Sequence, residues 1–166
     1  MKLLRRLFKL LVILLMTLTS CASPSENLEV EYSKLSHPDA TLLYEHADTS
    51  SSATGACAGP FVDGWYGSEI GDEGLLQKYE DQLMANGWSY WSEGQTWRKE
   101  VKGGLFSGGL FSLYIRVLPT GKPIDAGRGH YTLPDSVIQE AIRYETVYFL
   151  HMKYMTNYAV KNCLER

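Results

Sequence analysis

Three cysteines, four histidines and a scatter of carboxylates are the groups in this 166-residue chain whose types could do chemistry. The histidines are His37, His46, His130 and His151. No two of them form HxH or HxxxH, the spacings that set two imidazoles on one side of a strand or helix. Cys57 and Cys163 are far apart, neither has a histidine close in sequence to activate it, and no CxxC is present. Two thiolates are too few for a tetrahedral zinc site, and a nucleophilic cysteine needs a positioned base. No metal and no other cofactor is therefore expected. His130, in GRGHY, is the most suggestive histidine, because flanking glycine lets a ligand approach the backbone. Glu69, Asp72 and Glu73 cluster at the start of a predicted helix, where they read as capping and dipole charges. A carboxylate pair used for acid–base work needs burial to split its pKa values. No residue set here forces a reaction, so an enzyme is not the first expectation.

The aromatic residues are the more unusual feature. Trp65, Tyr66, Trp88, Tyr90, Trp91 and Trp97 all fall in or beside predicted strands. Large rings dominate core burial. In WSYWS, however, strand alternation puts Trp91 on the side opposite Trp88 and Tyr90. Trp65 and Trp91, with Phe106 and His130, are the candidate binding surface. Phe106 belongs to GGLFSGGLFS (103–112), a five-residue phrase written twice. It lacks the Gly-Lys-Ser/Thr of a phosphate loop and opens a strand, not a helix. It reads as an extended hairpin tip, from which Phe106 could dip into lipid or a partner.

The first twenty residues are a targeting segment. MKLLRRLFK is a basic n-region and LLVILLMTL an apolar stretch of signal-peptide length. Leu18-Thr19-Ser20-Cys21 follows and resembles the lipobox of bacterial lipoproteins. The resemblance implies diacylglycerol transfer to the Cys21 thiol, cleavage before it and acylation of the new amino group. Ala22 stands where an Asp would favour inner-membrane retention, which points to the outer membrane in a diderm cell and otherwise to the outer face of the cell membrane. An exported chain can form disulfides, so Cys57 and Cys163 are a possible pair. Beyond the leader the chain carries 12 Lys and Arg against 19 Asp and Glu, net −7. That sign disfavours nucleic acid.

Residues 21–38 then read as the lipidated cysteine and a polar tether, reaching about 55–60 Å if extended. A single domain over 39–166 follows. Leu75, Leu76, Tyr79 and Leu83 form a helical stripe that ends at Asn86-Gly87, with Trp88 placed to pack on Leu83 as in a Schellman ending. Residues 40–47, 57–69, 88–92, 96–101 and 110–118 read as strands. The last of these has Phe111, Leu113, Ile115 and Val117 on one side and Ser112, Tyr114 and Arg116 on the other. A second helix starts at Leu133-Pro134-Asp135-Ser136 and runs to about Tyr144, before a strand over 145–155. The fold class is α+β: an antiparallel sheet packed by two helices on one face, in the manner of a ferredoxin-like split βαβ with extra hairpins.

The expected protein is a lipid-anchored cell-envelope domain with a binding or supporting role, toward an envelope protein or a small ligand. One alternative is a ligand-binding lipoprotein with an aromatic-lined pocket. Another is an envelope hydrolase using His130 and loop carboxylates.

Overall fold

The computed structural model describes residues 23–37, 39–48, 59–92, 96–103, 108–118 and 134–163. Six strands among them form one antiparallel sheet: β1 (Ala40–Asp48), β2 (Phe61–Ser68), β3 (Ser89–Trp91), β4 (Thr96–Val101), β5 (Gly109–Leu118) and β6 (Thr146–Thr156). Their order in the sheet is β1-β2-β6-β5-β4-β3. The last strand is thus inserted between β2 and β5, which run parallel to each other on either side of it. Four helices pack on this sheet: α1 (Pro24–Tyr32), α2 (Asp72–Ala85), α3 (Asp135–Ala141) and α4 (Asn157–Cys163). The class is α+β, as the alternation of strand and helix patterns predicts.

The expectation of two helices on one face is corrected. α1 and α2 cover one side, over Val62, Tyr66, Leu113, Tyr148, Leu150 and Met152. α3 covers one end of the other side, where Ala141 meets Trp65, Leu118, Val147 and Phe149. α4 covers its opposite end, with Ala159 against Leu110 and Met155. The reason is alternation: Tyr148 and Leu150 project to one side of β6, Val147 and Phe149 to the other, and all four are buried.

The tether is also corrected. From Ser23 onward the segment is a docked helix. Ser23 is the N-cap, Pro24 holds the first helical position, and Ser23 and Glu26 exchange hydrogen bonds in a capping box. Leu28 is completely buried and Leu35 nearly so. The signal is in the sequence as Ser-Pro-Ser-Glu followed by Leu28, Tyr32 and Leu35 at helical spacing, but acidic residues between them hide the stripe.

α2 ends as its sequence dictates. Gly87 has φ +80°, Trp88 N–H donates to the Leu83 carbonyl at 3.0 Å, and Gly87 N–H to that of Met84 at 3.1 Å. At its start the N-cap is Gly71, not Asp72. Asp72 instead accepts a hydrogen bond from Thr146 Oγ1 at 2.8 Å.

The doubled phrase lies at the β4–β5 hairpin. Val101 pairs with Gly109, so Gly103 is in the connection and Gly109–Ser112 of the second copy are strand. Residues 104–107, including Phe106, lie outside the described residues. Deleting 103–107 leaves Lys102-Gly108 as a two-residue hairpin loop between the same strand partners. Loop closure changes little, so stability should shift by no more than about 1 kcal/mol in urea denaturation. A collapse of the cooperative transition would show that the first copy carries packing of its own.

Candidate functional site

The side of the sheet away from α1 and α2 gathers the polar groups. Strand register places His46 opposite Asp63, Asp63 opposite His151 and His151 opposite Tyr114, one row across four strands. The next row runs across all six: Asp48, Phe61, Lys153, Ser112, Arg98 and Ser89. The middle of this face is half-buried, between the ends covered by α3 and α4.

Asp63 is the anchor of the first row. Its side chain is 5% exposed, on a strand paired on both sides, and His151 Nδ1 lies 2.5 Å from its Oδ1. An imidazole held by a buried carboxylate at one nitrogen has a defined ring orientation. The His151 side chain remains 33% exposed. Phe61 packs beside both histidines, with ring centroids 5.9 Å from His46 and 5.7 Å from His151. Burial pushes the Lys153 ammonium below its ordinary pKa. At the far edge, the Arg98 guanidinium carbon sits 3.4 Å over the Trp91 ring, a cation–π contact.

This arrangement can bind. Oriented imidazole, phenol, guanidinium and aromatic edges on one rigid surface offer both donors and flat apolar area. Its capacity for catalysis is narrower. Among the described residues, His151 is hydrogen-bonded to Asp63 and to no hydroxyl or thiol. Among the described residues, too, no three His, Cys, Asp or Glu side chains are grouped to hold a metal ion.

Of the residues singled out from sequence, Trp65 is completely buried against Phe149 and Tyr44, which removes it from any binding surface. β2 is an inner strand, and α3 closes over that end of the sheet. Trp91 is on the expected side and half-exposed, with one ring face taken by Arg98. Phe106, His130, Cys57 and Cys21 lie outside the described residues. Cys163, at the end of α4, is disulfide-bonded. Glycine interrupts the pattern of FVDGWYGS and hides Asp63 in the sequence, whereas the segment is an inner strand. His151 shares its side of β6 with Phe149 and Lys153, as the period-two spacing of a strand dictates.

The opposite face holds a second cluster, built of tyrosines. His37 Nδ1 is 2.7 Å from Tyr79 Oη, and Tyr79 Oη is 2.8 Å from Tyr148 Oη. The Tyr32 and Tyr66 hydroxyls are hydrogen-bonded to each other. His37 stacks on Tyr66 at 4.1 Å between ring centroids. Gly64 leaves the room: a Cβ there would meet the Tyr66 ring at 2.5 Å and the Tyr32 hydroxyl at 2.8 Å. Burial raises the Tyr79 and Tyr148 phenols, pushes Tyr66 up to about 12, and lowers His37 to about 4. These groups stay neutral near pH 7 and serve as packing that clasps the segment after α1.

No family model matches the chain, and neither a curated protein nor a solved structure is significantly similar to it. None of the helices among the described residues is long and apolar enough to cross a membrane.

Proposed function

We propose that this protein is a bacterial lipoprotein: an exported domain, anchored to a cell-envelope membrane through lipid on Cys21, with a binding or supporting role. The observation that carries the reading is the run of basic n-region, short apolar stretch and Leu18-Thr19-Ser20-Cys21 at the head of the chain. The disulfide at Cys163 supports export, since such bonds persist in oxidising compartments. With Cys21 given to lipid, Cys57 is the remaining partner for Cys163. Three acyl chains hold a protein far more durably than one.

The binding surface in this reading is the half-buried face carrying His46, Asp63, His151, Tyr114 and the Arg98–Trp91 stack. The net charge of −7 beyond the leader favours a protein or neutral ligand over nucleic acid. The Asp63–His151 pair gives the hydrolase reading its one point of support, with His151 in place of His130.

The anchor is tested by metabolic labelling with an alkyne fatty acid. Wild type should take up label and partition into detergent, and Cys21→Ala should lose all of it. Undiminished labelling of Cys21→Ala would end the lipoprotein assignment.

A further inference from the structure

We propose that the folded domain is seated directly on the bilayer surface, with its α1 end against the lipid headgroups, and does not hang from a tether. The inference rests on lipidation of Cys21 and adds where that places the domain.

Only Ala22 separates Cys21 from Ser23, the N-cap of α1. Fully extended, that step spans at most about 7 Å. From Ser23 on, the chain is committed to the domain. Ser23, Pro24 and Ser25 are themselves partly buried. The capping box fixes the first turn, with Ser23 N–H donating to Glu26 Oε2 at 2.5 Å and Glu26 N–H to Ser23 Oγ at 3.2 Å. Leu28 enters the core with no exposed area. Glu31, its side chain 6% exposed, bridges Lys99 at 2.6 Å and Lys34 at 3.0 Å. The Lys99 pair ties the C-terminal end of α1 to β4. Tyr32, Leu35 and His37 continue the attachment through Tyr66 and Tyr79.

No slack remains in which a spacer could form. A tether over 21–38 would let the domain roam by several tens of ångströms, whereas a docked α1 ties one end of it to the anchor. Because α1 packs on the opposite side of the sheet from the His46–Asp63–His151–Tyr114 row, the anchor leaves that row uncovered. The net charge of −7 beyond the leader disfavours attraction to anionic headgroups, so the lipid chains supply the attachment.

The test is neutron reflectometry of the full lipidated protein on a supported phosphatidylcholine bilayer. It is compared with a variant carrying thirty Gly/Ser residues inserted between Ala22 and Ser23, a site that leaves the capping box intact. Wild type should give a protein layer contiguous with the headgroups. The variant should add a hydrated gap of about 30 Å, the root-mean-square span of such a linker. A wild-type profile already separated from the headgroups by a comparable gap would overturn the proposal while leaving the anchor standing. Protein that carries no acyl label and does not bind the bilayer would instead overturn the lipoprotein reading beneath it.

Discussion

A chain that starts at Asp39 is expected not to fold, whereas one that starts at Ser23 folds cooperatively. The sequence pattern puts the domain boundary near residue 39, and the packing moves it to residue 23. Truncation at 39 removes Leu28 and Leu35 from the main core, the cluster they share with Leu75, Tyr79, Leu83 and Met152. Loss of a single buried leucine side chain costs about 2–5 kcal/mol. The truncation removes two, together with the Tyr32–Tyr66 and His37–Tyr79 hydrogen bonds and the carboxylate that neutralises Lys99. A domain of this size holds only about 5–15 kcal/mol in total. Far-ultraviolet circular dichroism and urea titration of 23–166 and 39–166 decide the matter. A cooperative transition of similar midpoint in both chains would show that α1 is an ornament.

The second large effect is with acid. The His37 pKa falls to about 4 because burial among Tyr32, Tyr66 and Tyr79 penalises the cation. Its unfolded value is about 6.5. Between those two values the unfolded chain binds the proton and the folded chain does not. Stability therefore falls as pH drops from about 6.5 to about 4 and levels off below. Allowing for partial solvent screening, His37 alone should cost about 2 kcal/mol over that window. Glu31 extends the loss on the acid side. Burial alone would raise its carboxyl, but the hydrogen bonds and charges of Lys99 and Lys34 outweigh that and hold it below the ordinary value. Its contribution is present above about pH 4.5 and disappears as pH falls through the lower folded value. Thermal melts at pH 7, 5.5 and 4.5 should show the midpoint falling by about 5–10 °C from this histidine. His37→Gln should flatten the slope between pH 6.5 and 4. An equal slope in wild type and variant would remove His37 as its source.

Both predictions concern the segment that composition alone misreads. Residues 22–38 are polar and acidic, and only three apolar side chains, Leu28, Tyr32 and Leu35, mark the face that docks. So few residues do not form a periodic signal against that background, and isolated short helices gain most of their stability from tertiary contact. The Ser-Pro-Ser-Glu start was readable, but a cap says that a helix begins, not that it packs. β5 is the contrary case. Phe111, Leu113, Ile115 and Val117 alternate with polar residues along a hairpin strand, so its two faces were visible in the string itself. The end of α2 was equally legible, since Gly87 is the residue that accepts a positive φ and Trp88 the residue that then returns to Leu83.

The candidate site divides in the same way. The amino-acid order alone carried the hairpins, α2 with its glycine stop, and the α+β class, because each depends on neighbours within a few residues, and it is the ground on which the export leader and lipidation of Cys21 are proposed. Only the tertiary structure decided that β6 is threaded between β2 and β5. That one insertion brings Asp63 to His151 across 88 positions of sequence, buries Trp65 and divides four helices between two faces. Strand alternation says that side chains point two ways. Which way meets a helix, and which meets water, depends on long-range pairing that no local pattern contains.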